Sequence, residues 1–205
     1  TIAYTLRVQA DPKVENKPAS SHLYIYDRES STSTAFLTRS SVYDLSFRPG
    51  HNSITFRGRL DGAKTTCIYE ISLNGGEAGT LVEHATSIQG YDWNSDGTEV
   101  AFVATESSSN DEDKDLPYKP EIYEGELNFS RAWIAKPGEK AMKLSVEGNV
   151  EGVVWSPDDS HILMSVSTTP LVDDHYMTQQ LHIFSISENG LSGSVDHAGK
   201  MGEYC

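Results

Sequence analysis

Residues 152–165 read Gly152-Val153-Val154-Trp155-Ser156-Pro157-Asp158-Asp159-Ser160-His161-Ile162-Leu163-Met164-Ser165. An apolar run ends in an aromatic, a turn follows, and a second run has alternating apolar positions. The turn composition has a physical reason: Pro presets φ at the first central position, and Asp, Asn and Gly tolerate what comes after. Two degraded copies stand upstream, Leu45-Ser46-Phe47-Arg48-Pro49-Gly50-His51-Asn52-Ser53-Ile54-Thr55-Phe56 and Gly90-Tyr91-Asp92-Trp93-Asn94-Ser95-Asp96-Gly97-Thr98-Glu99-Val100-Ala101-Phe102. A hairpin signal is written three times.

Phe47 and Trp93 stand 46 residues apart, and Trp93 and Trp155 stand 62 apart. The period is therefore about 45, with an insertion in the second interval. After each hairpin comes a third run rich in β-branched and aromatic residues: Leu23 to Tyr26, Cys67 to Leu73, Ala132 to Ala135 and Leu181 to Ile186. A Gly-containing turn and a short fourth run follow, as in Gly75-Gly76-Glu77-Ala78-Gly79-Thr80-Leu81-Val82. Four strands per repeat at this period predict an all-β fold, a β-propeller of four-stranded antiparallel blades, about four blades' worth.

The expected blades run near 1–40, 41–86, 87–147 and 148–200 within one domain, with 201–205 starting the next. Thr1-Ile2-Ala3-Tyr4 aligns with Glu99-Val100-Ala101-Phe102, a second strand, and Gly202-Glu203-Tyr204-Cys205 aligns with Gly152-Val153-Val154-Trp155, a first strand. Two readings follow: a four-blade ring closed by pairing last strand with first, or a partial propeller cut from a longer one. The lack of a capping segment at either end favours the partial propeller, whose unpaired edges invite self-association.

A formal charge of −14 argues against nucleic acid as partner, since phosphate binding needs clustered Lys and Arg and only 16 basic residues are present, scattered along the chain. No apolar run reaches the length of a membrane span. The two cysteines, Cys67 and Cys205, form no framework, and Cys67 in an alternating strand reads as a small buried hydrophobe.

Insertions concentrate between second and third strands: Gln9 to Ser21, Ser107 to Ser130 and Thr168 to Thr178. Those connections emerge on the same face as the links between blades, whereas the opposite face receives tight turns. Long loops on a rigid scaffold are where binding residues collect, so the decorated face is expected to meet substrate or a partner domain.

The run Asn110-Asp111-Glu112-Asp113-Lys114-Asp115 invites a calcium reading. It fails the EF-hand pattern, because Leu116 stands where Gly belongs and Ile122 where Glu belongs, and it reads as a solvated acidic loop. No cofactor or metal is expected. In Glu121-Ile122-Tyr123-Glu124-Gly125-Glu126, an extended backbone points Glu124 and Glu126 the same way, beside Tyr123, able to hold a peptide's α-amine. No catalytic set emerges: the histidines lack zinc-motif spacing and a Gly-x-Ser-x-Gly elbow is absent. Asn128-Phe129-Ser130 matches a glycosylation sequon.

Trp155-Ser156-Pro157-Asp158-Asp159, with Ile162-Leu163 following, resembles the propeller hairpin of prolyl oligopeptidase family serine peptidases, the group with acylaminoacyl and dipeptidyl peptidases. Thr169-Pro170-Leu171-Val172-Asp173-Asp174-His175-Tyr176-Met177 is similar to a loop of bacterial members. Translocation propellers of the Tol system carry nearly the same hairpin.

The resemblance implies a parent with a larger propeller and a C-terminal α/β-hydrolase domain that carries a Ser, Asp and His triad; no triad residue maps onto this chain. It implies a non-catalytic propeller portion of a serine peptidase, gating and filtering oligopeptide access. Glu124, Glu126, Tyr123, Asp173, Asp174 and Tyr176 are the candidate substrate-binding residues, although Gly125 interrupts the adjacent glutamate pair of dipeptidyl members. The resemblance implies a bacterial origin, with localisation open between cytoplasm and periplasm. The alternative is a stand-alone propeller acting as a protein-binding scaffold of the translocation type.

Overall fold

The computed structural model describes residues 1–10, 13, 19–38, 40–60, 62–107 and 127–197. Apart from one short helix, every regular element among them is a β-strand. The chain divides into two compact units, Thr1–His84 and Ala85–Cys205.

In the first unit, β1 (Ile2–Val8), β2 (Ser20–Asp27) and β3 (Thr32–Leu37) form a three-stranded sheet. A four-stranded sheet follows, built from β4 (Val42–Phe47), β5 (Ser53–Gly58), β6 (Cys67–Ser72) and β7 (Gly79–Val82). Neighbours in the sequence are neighbours in the sheet, and every pairing is antiparallel.

β5 is buried at nearly every position, because both faces of a middle strand are covered and its sequence carries Ile54 and Phe56 with small residues between. β3, all Thr, Ser and Ala until Phe36, is an exposed outer strand. Leu23 and Ile25 of the first sheet pack with Val42, Phe56, Cys67, Tyr69 and Ile71 of the second. The Phe56 and Tyr69 rings stack with centroids 5.8 Å apart. The buried Tyr69 hydroxyl accepts the Leu60 N–H at 3.1 Å, and burial raises its pKa.

The second unit repeats the scheme. β8 (Ile88–Trp93), β9 (Val100–Thr105), β10 (Ser130–Ala135) and the two-residue β11 (Met142–Lys143) form one sheet. β12 (Asn149–Trp155), β13 (His161–Ser167), β14 (Gln180–Ser185) and β15 (Gly190–Val195) form the other, and α1 (Val172–Met177) interrupts the β13 to β14 connection. Val100 to Ala104 are all buried, so β9 has no polar face and reads as a continuous apolar run. Val153, Trp155, Ile162, Met164 and Phe184 pack onto Ala101, Val103 and Ala132 of the neighbouring sheet. Each large side chain buried in such a layer contributes about 1.5–3 kcal/mol.

The three expected hairpins close through the same backbone device. Arg48 N donates to Ser53 O at 3.2 Å, Asn94 N to Glu99 O at 3.0 Å, and Ser156 N to His161 O at 2.9 Å. Each loop holds one residue in the left-handed region: Gly50 at φ 69°, Gly97 at 70° and Asp159 at 59°. A Cβ there is unfavourable, so Asp159 is the exception to explain. Its carboxylate accepts the backbone N–H of Ser95 at 2.7 Å and the Ser95 hydroxyl at 2.5 Å, which ties one hairpin turn to the next. Asp92 makes a second tie, accepting the Trp155 N–H at 2.8 Å. The fold is that of a β-propeller made of antiparallel blades, as the repeat predicts.

Candidate functional site

In all three four-stranded sheets the first and second strands slip by one residue at the same place. The shift falls between Tyr43 and Ser46, between Ile88 and Gly90, and between Val150 and Gly152. A bulge turns a side chain out of the alternation and re-aims it. Each slip holds a polar residue: Asp44, which is held at φ 48° and followed by Leu45; Gln89; and Glu151.

Asp44 pairs within the first two strands, and Gln89 and Glu151 reach the mouth of the connection between second and third strands. Asp44 accepts the Arg57 Nε–H at 2.6 Å, at the end of β5. Gln89 donates to Thr105 Oγ1 at 2.8 Å and accepts from Ser130 Oγ at 3.1 Å, so it bridges the last residue of β9 and the first of β10. Glu151 accepts from Ser167 Oγ at 2.8 Å and from the His175 and Gln179 side chains, binding the last residue of β13 to the far limb of the loop. At Gln89 and Glu151 the bulged side chain is thus a staple across the loop mouth.

The 168–179 connection is built on that staple. Thr169 Oγ1 donates to Asp174 at 2.6 Å, and the Thr178 hydroxyl donates to the Asp174 carbonyl at 2.9 Å. Thr168 N donates to Thr178 Oγ1 at 3.1 Å, which closes the neck. Inside it, Val172 to Met177 make one helical turn and a half, with Asp173 and Asp174 in the first turn where the helix dipole favours negative charge. The helix buries none of its residues. Val172, Tyr176 and Met177 are 71%, 54% and 77% exposed, an apolar surface carried on a polar, hydrogen-bonded base.

The candidate residues separate into distinct roles here. Asp174 is committed to the loop's own frame through Thr169, whereas Asp173 and Tyr176 face solvent. The Tyr176 ring meets His175 edge-on at 4.8 Å. Asp174 and His175 are adjacent in sequence but point to different partners, Thr169 and Glu151, so they do not converge on one reacting atom. Tyr123, Glu124 and Glu126 lie outside the described residues, as do Asp111 to Asp115. Among the described residues no group of three or more His, Cys, Asp or Glu is placed to hold a metal ion.

The base of the neighbouring connection is a second electrostatic knot. Glu106 N donates to Phe129 O at 2.8 Å, and the Glu106 carboxylate accepts Lys143 Nζ at 2.7 Å and Arg131 Nε at 3.0 Å. Those two cations, Lys143 foremost, hold the Glu106 carboxyl below its ordinary range. Arg131 also donates to the Gly148 carbonyl and lies 4.7 Å over the Phe129 ring. Gly148 has φ 88°, and a Cβ there would come within 2.7 Å of the Ser167 carbonyl oxygen. Only glycine fits between the two loop bases. Reading the sequence by motif misses Glu151, Gln89, Glu106 and Arg131; the available signal is a charged or amide residue breaking an apolar first strand, as in Val150-Glu151-Gly152.

No protein-family model matches the sequence, and no curated protein sequence matches it. Solved structures do share its fold. An acylaminoacyl peptidase from Pyrococcus horikoshii superposes over 95% of this chain and 30% of its own, with a TM-score of 0.65 and 17% identity. TolB from Acinetobacter baumannii matches over 92% of this chain and 40% of its own, with a TM-score of 0.60 and 15% identity. A chain of a nidogen/laminin complex matches over 97% of this chain and 64% of its own, with a TM-score of 0.55 and 14% identity. The chain therefore spans less than two thirds of the length of each. What these proteins have in common with it is the β-propeller fold.

Proposed function

We propose that this chain is propeller substance of a serine peptidase: non-catalytic itself, it gates and filters oligopeptides on their way to a C-terminal α/β-hydrolase domain. The sheets in this reading are blades of one propeller domain, 1–205. The observation that carries it is the 168–179 connection, whose stapled neck presents Val172, Tyr176 and Met177 to solvent. A surface of that kind on a rigid base is suited to contact an apolar peptide or a docked domain. The likeness to acylaminoacyl peptidase supports the same reading. Asp173, Tyr176, Tyr123, Glu124 and Glu126 are the proposed peptide contacts, and Asp174 acts through the loop it frames.

The test is photo-crosslinking with a benzophenone-bearing oligopeptide, followed by peptide mapping. Crosslinks within 168–179 or 121–126 that Tyr176→Ala and Met177→Ala reduce are the expected result. Crosslinks spread evenly over the surface, unaffected by either change, would remove the filtering role. A second reading, a scaffold of the translocation type, draws on the likeness to TolB. It predicts capture of a folded partner and indifference to short peptides. Self-association through blade edges is proposed in either case, with light scattering as its measure.

A further inference from the structure

The outer edge of the first sheet is unguarded. β3 is outermost in its sheet and, among the described residues, pairs with β2 alone. Thr32 to Ala35 are exposed, so the far side of the strand offers solvent a row of backbone N–H and C=O groups, a template for a further strand. Natural sheets blunt such edges with charge, proline, bulges, glycine or short length. The run Ser30-Ser31-Thr32-Ser33-Thr34-Ala35-Phe36-Leu37-Thr38 holds no charge, no proline and no glycine. Its bulge falls at Phe36, beyond the regular pairing of Thr32 to Ala35 with Asp27 to Tyr24.

Every other edge among the described strands is guarded. β7 has four residues, bulges at Leu81 and stands between Glu77 and Glu83. β11 has two residues, one of them Lys143. β15 matches β3 in length, but Gly190 and Gly193 loosen it, and a bulge at Ser192 breaks its row near the middle. β4, β8 and β12 break at the slips that hold Asp44, Gln89 and Glu151. β1 carries Arg7, and its residues Ala3 to Thr5 line a cleft of about 380 Å³ whose opposite wall is Val42 to Leu45 of β4. A cleft of that size admits one strand and not a folded sheet.

We infer that β3 pairs antiparallel with β3 of a second copy of this chain, giving one continuous sheet with three strands from each copy. This rests on the self-association through blade edges proposed above and names the edge. Two observations favour a second copy as the occupant. The segment is self-complementary about Thr34: antiparallel pairing there sets Thr34 against Thr34 of the second copy, Ser33 against Ala35 and Thr32 against Phe36, with no like charges opposed. Two chains of formal charge −14 also repel, so they approach most readily where the surface is neutral, as it is from Ser30 to Thr38. A two-fold contact between identical strands closes on itself, so it yields a dimer rather than a fibre.

The experiment is sedimentation velocity of the full chain between about 1 and about 200 μM, since mass action makes a dimer concentration-dependent. A monomer that converts to a dimer and no further is expected. Thr34→Lys puts a charge on the edge and should weaken the dimer about tenfold or more. Its melting temperature in dilute solution should not change, because Thr34 is exposed. Ser194→Lys, on β15, should leave the dimer as it is. In the unaltered chain, amide exchange within 32–35 should slow about tenfold from the dilute to the concentrated sample, while exchange within 79–82 stays constant. That measurement decides the matter even where the lysine variant fails to fold. A dimer that survives Thr34→Lys, with no slowing in 32–35, overturns the β3 contact and leaves self-association through another edge standing. Loss of the dimer with Ser194→Lys alone overturns it in favour of β15. Growth beyond the dimer overturns the two-fold pairing. A monomer at every concentration overturns self-association through blade edges as a whole, and leaves the peptide filter untouched.

Discussion

Asp92 accepts the backbone N–H of Trp155 from a neighbouring sheet at 2.8 Å, and half-burial pushes its carboxyl above the ordinary value. The bond joins two blades through a group that would rather be neutral. A carboxyl raised in the folded state binds more protons there than in the unfolded chain, so stability falls as pH rises through its folded pKa. Asp92→Asn keeps an acceptor and removes the charge. The expected outcome is a higher melting temperature at pH 7, with the gain vanishing below about pH 4 where Asp92 is protonated in both states. Asp92→Ala instead strands the Trp155 N–H and should cost about 1–3 kcal/mol. Thermal melts across pH 3 to 8 separate the two, and a flat difference profile for Asp92→Asn would refute the account.

Glu106 gives the opposite sign. Its carboxyl is held low by Lys143 and Arg131, so its contribution is present above the unfolded pKa and fades as pH falls through the folded one. The pair is partly exposed, at 45% for Lys143 and 40% for Glu106, which limits its value to about 1 kcal/mol or less in salt. Glu106→Gln should lower the melting temperature slightly at pH 7 in low salt, and the difference should fade as pH falls through the lowered folded pKa. Measuring at 0.02 M and 1 M NaCl checks it, since high salt should erase most of the difference.

Gly148→Ala is predicted to be among the costliest small substitutions in the second unit. The added methyl carbon meets the Ser167 carbonyl at 2.7 Å and Val166 Cγ1 at 2.8 Å, at a φ of 88° that alanine resists. Strain of this kind costs of order 1–3 kcal/mol before any clash is counted. Urea denaturation would show it as a lower midpoint; an unchanged midpoint would mean that the loop bases shift freely.

Glu151→Ala should act locally. It removes the acceptor of Ser167, His175 and Gln179 together while leaving the sheet ladder in place. Hydrogen exchange within 168–179 should quicken at least tenfold, with exchange in β9 unchanged, because loop opening is a sub-global event. Equal acceleration in both segments would make Glu151 a global stability residue instead.

The hairpins at Phe47, Trp93 and Trp155 were legible because a turn is written in adjacent residues, where Pro, Asp and Gly dictate φ. The staples were not. Glu151 becomes a loop anchor only because β12 slips one residue against β13, and a slip is decided by pairing between strands. The helix at Val172 to Met177 was hidden for a related reason. It has no side-chain N-cap and is too short to be stable from propensity; it forms because Asp174, Thr178 and His175 are held from outside. Asp159 shows the reverse, a residue whose turn role was readable while its hold on Ser95 needed the fold.

The bulged staple also separates what a loop does from what its blade needs. Gln89 and Glu151 secure the strand ends at the loop mouth, so the length beyond that point adds only slowly growing closure entropy. The 168–179 segment is consequently a graft position: foreign sequence inserted between Thr169 and Thr178 should be displayed outward while the four strands beneath keep their register. Peptide epitopes could be carried there, and a lineage of such chains could change its specificity by swapping loops without rebuilding a blade.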